Sequence, residues 1–116
     1  MRTYFVAPQL VFAPFLAELL ETAGLSVVRT DRRLDIRALE ALAPEVVVLD
    51  TSDPAYDYVA ISVIVKHLVP TATIVAWADT QTRLAQDLER EGVLVVSYQL
   101  EPEEAVERIR KRFSPR

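Results

Sequence analysis

The sequence predicts an α/β domain in which five parallel strands alternate with five helices in a doubly wound sheet. Two observations carry this. Five short runs rich in Val, Ile or aromatics, Thr3–Val6, Leu25–Arg29, Val46–Leu49, Thr73–Trp77 and Val93–Ser97, alternate with longer segments of helical apolar spacing. The middle run, Val46-Val47-Val48-Leu49, is apolar at every position, as a strand covered on both faces should be. No repeat, linker or low-complexity tract breaks the pattern, so residues 1–116 are expected to form one domain.

Each helical segment has its own signals. Leu16, Leu19, Leu20 and Ala23 form an apolar stripe after Pro14, which belongs in a first turn, and Gly24 is placed to stop that helix. Leu34, Ala38, Leu39 and Leu42 make a second stripe, ended before Pro44. Residues 55–69 are β-rich in composition, yet they join two parallel strands, and such a connection needs a crossover helix. Leu84, Ala85 and Leu88 form a further stripe, closed by Gly92. Glu101-Pro102-Glu103-Glu104 opens the last helix with acids, and Arg108, Arg110, Lys111 and Arg112 close it with cations, complementing the helix dipole. Its buried stripe is Val106, Ile109 and Phe113.

Composition excludes several chemistries. The chain has no cysteine and one histidine, which removes thiol catalysis, disulfides and thiolate or histidine-cluster metal sites. Its two glycines leave no glycine-rich phosphate loop. A net charge of −4 argues against nonspecific nucleic-acid binding, and the basic clusters at Arg29–Arg33 and Arg108–Arg112 read as solvated surface. Ser62, Ser97 and His67 fit no nucleophile–base motif. The apolar run at the start is too short for a signal peptide, and no transmembrane stretch is present, so a cytoplasmic protein with no membrane partner is expected.

The most informative stretch is Val-Val-Val-Leu-Asp-Thr-Ser-Asp-Pro at 46–54. An acid at the carboxyl end of a buried strand lies where open α/β sheets place ligand sites. The stretch resembles the phospho-acceptor strand and loop of response-regulator receiver domains. In that family an aspartate ends the third strand and a proline follows four residues later, as Pro54 follows Asp50. Ala55-Tyr56-Asp57-Tyr58 match the usual continuation, with Tyr58 replacing a common glycine. The order of elements extends the resemblance over essentially the whole chain and implies the flavodoxin-like strand order 2-1-3-4-5.

What this resemblance implies about chemistry is mostly loss. Phosphorylating an aspartate needs a divalent cation, which Mg²⁺-type coordination takes from carboxylates and water. The two acids at the end of the receiver first strand match Ala7 and Pro8 here. The receiver Thr or Ser after the fourth strand matches Trp77, followed by Ala78. The receiver lysine after the fifth strand matches Tyr98 or Gln99, and the only lysines are Lys66 and Lys111. Asp50 alone remains, as the phospho-acceptor equivalent. The former active-site cleft then comprises Ala7, Pro8, Asp53, Trp77, Ala78 and Tyr98 around it. Asp53 could join Asp50 on a metal, but before Pro54 the preferred reading is a cap of the following helix, with Asp57 in its first turn.

These features imply a pseudo-receiver: a non-catalytic signalling or scaffold module that acts through protein–protein contact, with no cofactor and no metal. The alternatives are a small-ligand domain using the cleft at the strand ends, where Pro8, Tyr56, Trp77 and Tyr98 would gather, or an atypical receiver phosphorylated on Asp50. As a lone acid at the sheet's edge, Asp50 is expected to tolerate asparagine with little change in melting. Matching the third helix to the receiver pattern turns Val59, Ile61 and Val65 to the sheet. It leaves Val63 and Ile64 where receivers commonly carry charge, a patch that implies a homodimer. The usual receiver dimer face, here with Arg83, Asp87, Arg90, Glu104 and Arg108, is charged and would pair weakly.

Overall fold

The computed structural model describes residues 1–9, 11 and 13–114. Its centre is β3 (Val46–Asp50), in which all five residues are buried. Around it lie β1 (Arg2–Val6), β2 (Ser26–Asp31), β4 (Thr73–Ala78) and β5 (Leu94–Ser97). All pairings are parallel, and the sheet order is β2-β1-β3-β4-β5, as expected. The burial gradient follows that order. The interior strands need apolar residues on both faces, whereas edge strand β2, Ser-Val-Val-Arg-Thr-Asp, is largely exposed.

The helices are α1 (Ala13–Thr22), α2 (Ile36–Leu42), α3 (Tyr58–Leu68), α4 (Arg83–Arg90) and α5 (Pro102–Phe113). Strand alternation sorts their cores. Phe5, Val46, Val48, Val75, Trp77 and Val96 face α1 and α5. Tyr4, Val47, Leu49, Ile74, Ala76 and Val95 face α2, α3 and α4. Successive residues of one strand thus feed opposite layers. Among the described residues no helix is long and apolar enough to cross a membrane.

Helix ends follow local chemistry. Asp35, Asp57 and Thr82 cap α2, α3 and α4 by accepting from Ala38 N, Ala60 N and Ala85 N. Asp57, not Asp53, is therefore the cap of α3. Asp53 instead accepts from Ala55 N at 2.9 Å and turns the preceding loop. The helix begins later than a cap at Asp53 requires, because the chain needs those residues to climb from the sheet to its outer layer. Gly24 and Gly92 adopt φ of +92° and +81° just past α1 and α4, a conformation that favours glycine. The basic end of α5 also has structural duties. Arg108 donates to Val95 O at 3.2 Å, and Arg110 donates to Thr22 O at the end of α1 at 2.8 Å.

The crossover after β3 is helical despite its β-branched composition, because a parallel connection overrides a weak propensity. Its phase differs in part from the expectation. Tyr58, Ser62 and Val65, at i, i+4 and i+7, form the buried ridge, while Val59 and Ile61 are half-buried flanks. Ser62 is accommodated there by donating to Tyr58 O at 2.9 Å. Val63 and Ile64 point outward, 48% and 38% exposed.

Candidate functional site at the carboxyl end of the sheet

Asp50 is the last residue of β3, and its alternation with Val46 and Val48 directs it to the α1–α5 side. It is 2% exposed. Its Oδ1 accepts from Ser52 N at 3.1 Å and from the Tyr98 hydroxyl, and its Oδ2 accepts from Ser52 Oγ at 3.2 Å. Asp50 is therefore not the lone acid that its position suggested. It holds the loop after β3 and the loop after β5 together across 48 residues of sequence. The Asp-x-Ser spacing was a readable signal for the Ser52 contact, since aspartate commonly bonds backbone two residues on. The Tyr98 contact left no local signal.

Neighbouring backbone sets this geometry. Asp50 pairs in register with Trp77, and Thr51 reaches the Trp77 carbonyl through its N–H at 3.1 Å and its hydroxyl at 2.7 Å. Tyr98 N donates to Ala78 O at 3.3 Å, which aims the tyrosine back over β3. Burial, together with the hydrogen bond and charge of Asp50, pushes the Tyr98 phenol far above the ordinary tyrosine range, so it remains a proton donor at neutral pH. Both residues matched to the receiver lysine are exposed, Tyr98 by 43%, and it is Tyr98 whose hydroxyl reaches the acid.

The expected single cleft is divided. Tyr98, Trp77, Asp50 and Ser52 line a cavity of about 260 Å³ closed by Phe15 and Leu19 of α1, by Leu100 and by Pro102 at the start of α5. Pro8, Asp53 and Tyr56 line a separate, wider cleft of about 930 Å³ with Arg32, Arg33 and Arg37. Ala7 is fully buried in the α1–α5 core and Ala78 in the opposite core, so neither side chain lines the cleft as expected. The physical reason is parity. Residues adjacent in a strand point to opposite faces, so Ala7 and Pro8 part company, as do Trp77 and Ala78.

The wider cleft carries a second tyrosine–aspartate pair. Tyr4 donates to Asp31 Oδ2 at 2.5 Å and accepts from Asp35 N at 3.0 Å. Arg29 Nε donates to the same Asp31 oxygen at 2.6 Å. Burial raises the Asp31 carboxyl, but hydrogen bonds from Arg29 and Tyr4 outweigh it and leave the group lowered. Burial and the Asp31 hydrogen bond push Tyr4 up to about 12. Arg33 donates to the Tyr56 hydroxyl at 2.8 Å and lies 5.7 Å from its ring centroid, a cation–π contact absent from the sequence reading. Below the β3–α3 loop, Tyr58 is 2% exposed. Burial pushes it up to about 12, and its hydroxyl makes no hydrogen bond among the described residues, although the Asp53 backbone lies near.

Among the described residues no group of three Asp, Glu, His or Cys side chains converges as a metal site. The site thus offers one buried carboxylate, a neutral phenol donor and apolar walls.

No family model and no curated protein matches the chain. Solved structures do. A LuxR-family DNA-binding response regulator from Staphylococcus aureus superposes with TM-score 0.77 at 20% identity, over 95% of this chain and 96% of that one. The isolated receiver domain of RcsB from Salmonella enterica serovar Typhimurium, solved with the phosphomimetic BeF3-, gives 0.75 at 17%, over 92% and 83%. The receiver domain of a sensor histidine kinase from Pseudomonas aeruginosa PAO1, with a magnesium ion coordinated in its active-site cleft, gives 0.73 at 15%, over 97% and 95%. At these identities the likeness is one of architecture: this chain has the receiver fold of response regulators.

Proposed function

We propose that this chain is a receiver-type signalling module that acts through protein contacts and without phospho-aspartate switching. One observation carries the reading. Where a phosphoryl group on Asp50 would need a cation, the Tyr98 hydroxyl donates to the carboxylate instead, and no lysine or arginine among the described residues pairs with Asp50. A phenol that stays protonated can share a hydrogen bond but cannot neutralise a dianion. Ala7 and Pro8 likewise bring no carboxylate to hold Mg²⁺. Incubation with acetyl phosphate and Mg²⁺ should leave the intact mass unchanged. A phosphoryl adduct that disappears in Asp50→Asn would make the chain a phosphorylated receiver and overturn the reading.

The contact surface we infer is the outer face of α3, used in a homodimer. Val63 and Ile64 are β-branched, exposed and adjacent to exposed Ala60. On α4, by contrast, Arg83 and Arg90 already pair with Asp87 within the helix. Val63→Glu combined with Ile64→Lys should shift sedimentation from dimer to monomer while circular dichroism stays unchanged. A wild type that sediments as a monomer at high micromolar concentration would remove the homodimer.

A further inference from the structure

We propose that the cavity between α1, α5 and the sheet binds a small organic cation, an ammonium or amidinium on a compact apolar body, with Asp50 as its counter-ion. The inference rests on the reading that Asp50 carries no phosphoryl group. A buried carboxylate is normally paired with a cation or coordinated to a metal. Asp50 is 2% exposed and has neither among the described residues. Its three hydrogen bonds come from a backbone amide, a serine and a phenol, all formally neutral. A carboxylate offers about four acceptor positions. Oδ1 takes two donors and Oδ2 only Ser52 Oγ, so Oδ2 retains one position.

The walls supply the rest of the selectivity. Phe15, Leu19, Trp77, Leu100 and Pro102 are apolar or aromatic, and no basic residue among the described residues lines the cavity. An anion would meet an uncompensated carboxylate there. A neutral apolar molecule would fill the space but leave Oδ2 without a charged donor. A cation gains a charge-assisted hydrogen bond in a shielded site and can also lie against aromatic rings. The volume of about 260 Å³ is below the roughly 300 Å³ at which pockets for drug-sized ligands begin, so a one-ring amine is the right scale. The wider cleft on the other side makes no such choice, because Asp31, Asp35 and Asp53 there balance Arg32, Arg33 and Arg37.

Trp77 is the only tryptophan and lines the cavity, so its fluorescence reports occupancy directly. The folded protein would be titrated with benzylamine, benzyl alcohol and benzoate at constant ionic strength. We expect saturable change with benzylamine, at least about tenfold weaker binding of the alcohol, and none of the benzoate. Equal affinity for amine and alcohol, or no saturation with the amine, overturns the cation site. Asp50→Asn should erase the preference for the amine. Should that variant unfold, Phe15→Ala, at a side chain 53% exposed, should weaken amine and alcohol by a similar factor. Tighter binding of a short arginine peptide than of benzylamine would reassign the site to a polypeptide side chain and overturn the small-molecule claim. Intact mass of the titrated sample separates the two readings. Added phosphoryl mass defeats the unphosphorylated reading itself, whereas unmodified protein that fails to discriminate defeats the cation site alone.

Discussion

The Tyr4–Asp31 and Tyr98–Asp50 pairs sit at the same end of one sheet and use the same two functional groups, yet they solve opposite electrostatic problems. Asp31 lies on an edge strand, keeps 26% side-chain exposure and shares one oxygen between Tyr4 and Arg29. Asp50 lies on the central strand, is 2% exposed and has only neutral donors among the described residues. The first pair is a charge-compensated clasp between β2, β1 and the cap of α2. The second is a buried acid with no cation beside it among the described residues, held in place by geometry. Tyrosine opposite aspartate is therefore not a motif with one meaning, and the cation beside it decides what the pair can do.

The largest test of that difference is a pair of hydroxyl deletions. Tyr98→Phe takes a donor from a buried acid that has no charged partner among the described residues and should cost about 1–3 kcal/mol in urea unfolding. Tyr4→Phe leaves Asp31 its arginine and its access to water, and should cost about 1 kcal/mol or less. A larger loss for Tyr4→Phe would break the comparison.

Alkali should sharpen it. Both phenols have folded values above the ordinary tyrosine value of about 10. Each therefore adds stability that is complete below about pH 10 and is lost as pH rises through the folded value. That value is about 12 for Tyr4 and higher for Tyr98. From pH 10 to about 12 the gaps of Tyr98→Phe and Tyr4→Phe from wild type should both narrow, and above about pH 12 only the Tyr98→Phe gap should keep narrowing. A Tyr98→Phe gap that stops narrowing at the same pH as the Tyr4→Phe gap would show that the two sites are electrostatically alike.

The smallest effect belongs to the exposed clasp in acid. The Asp31 carboxyl is lowered, so its contribution is present above the unfolded value of about 3.9 and is lost as pH falls through the folded one. The melting difference between wild type and Arg29→Met should be small at neutral pH, as for exposed pairs, and should shrink further at pH 3. A difference independent of pH would mean that Arg29 acts through packing alone.

Much of this molecule is legible in its sequence. Five apolar runs separated by capped amphipathic segments determine a doubly wound sheet, because burial on both faces demands consecutive apolar residues and parallel neighbours demand crossover helices. The acid at the end of the central run, and the residues Ala7, Pro8 and Trp77 at the other strand ends, were equally readable, since they depend only on position along the chain. Tertiary structure alone chose Tyr98 over Gln99 as the partner of Asp50, divided the expected cleft in two, and moved the cap of α3 from Asp53 to Asp57. It also set which residues of α3 face inward. The physical reason is common to these cases. Strand parity, register between distant strands and the path of a loop from sheet to helix layer are set by contacts far apart in sequence. A one-residue shift, which hardly alters an apolar pattern, sends a side chain to the opposite face of the sheet.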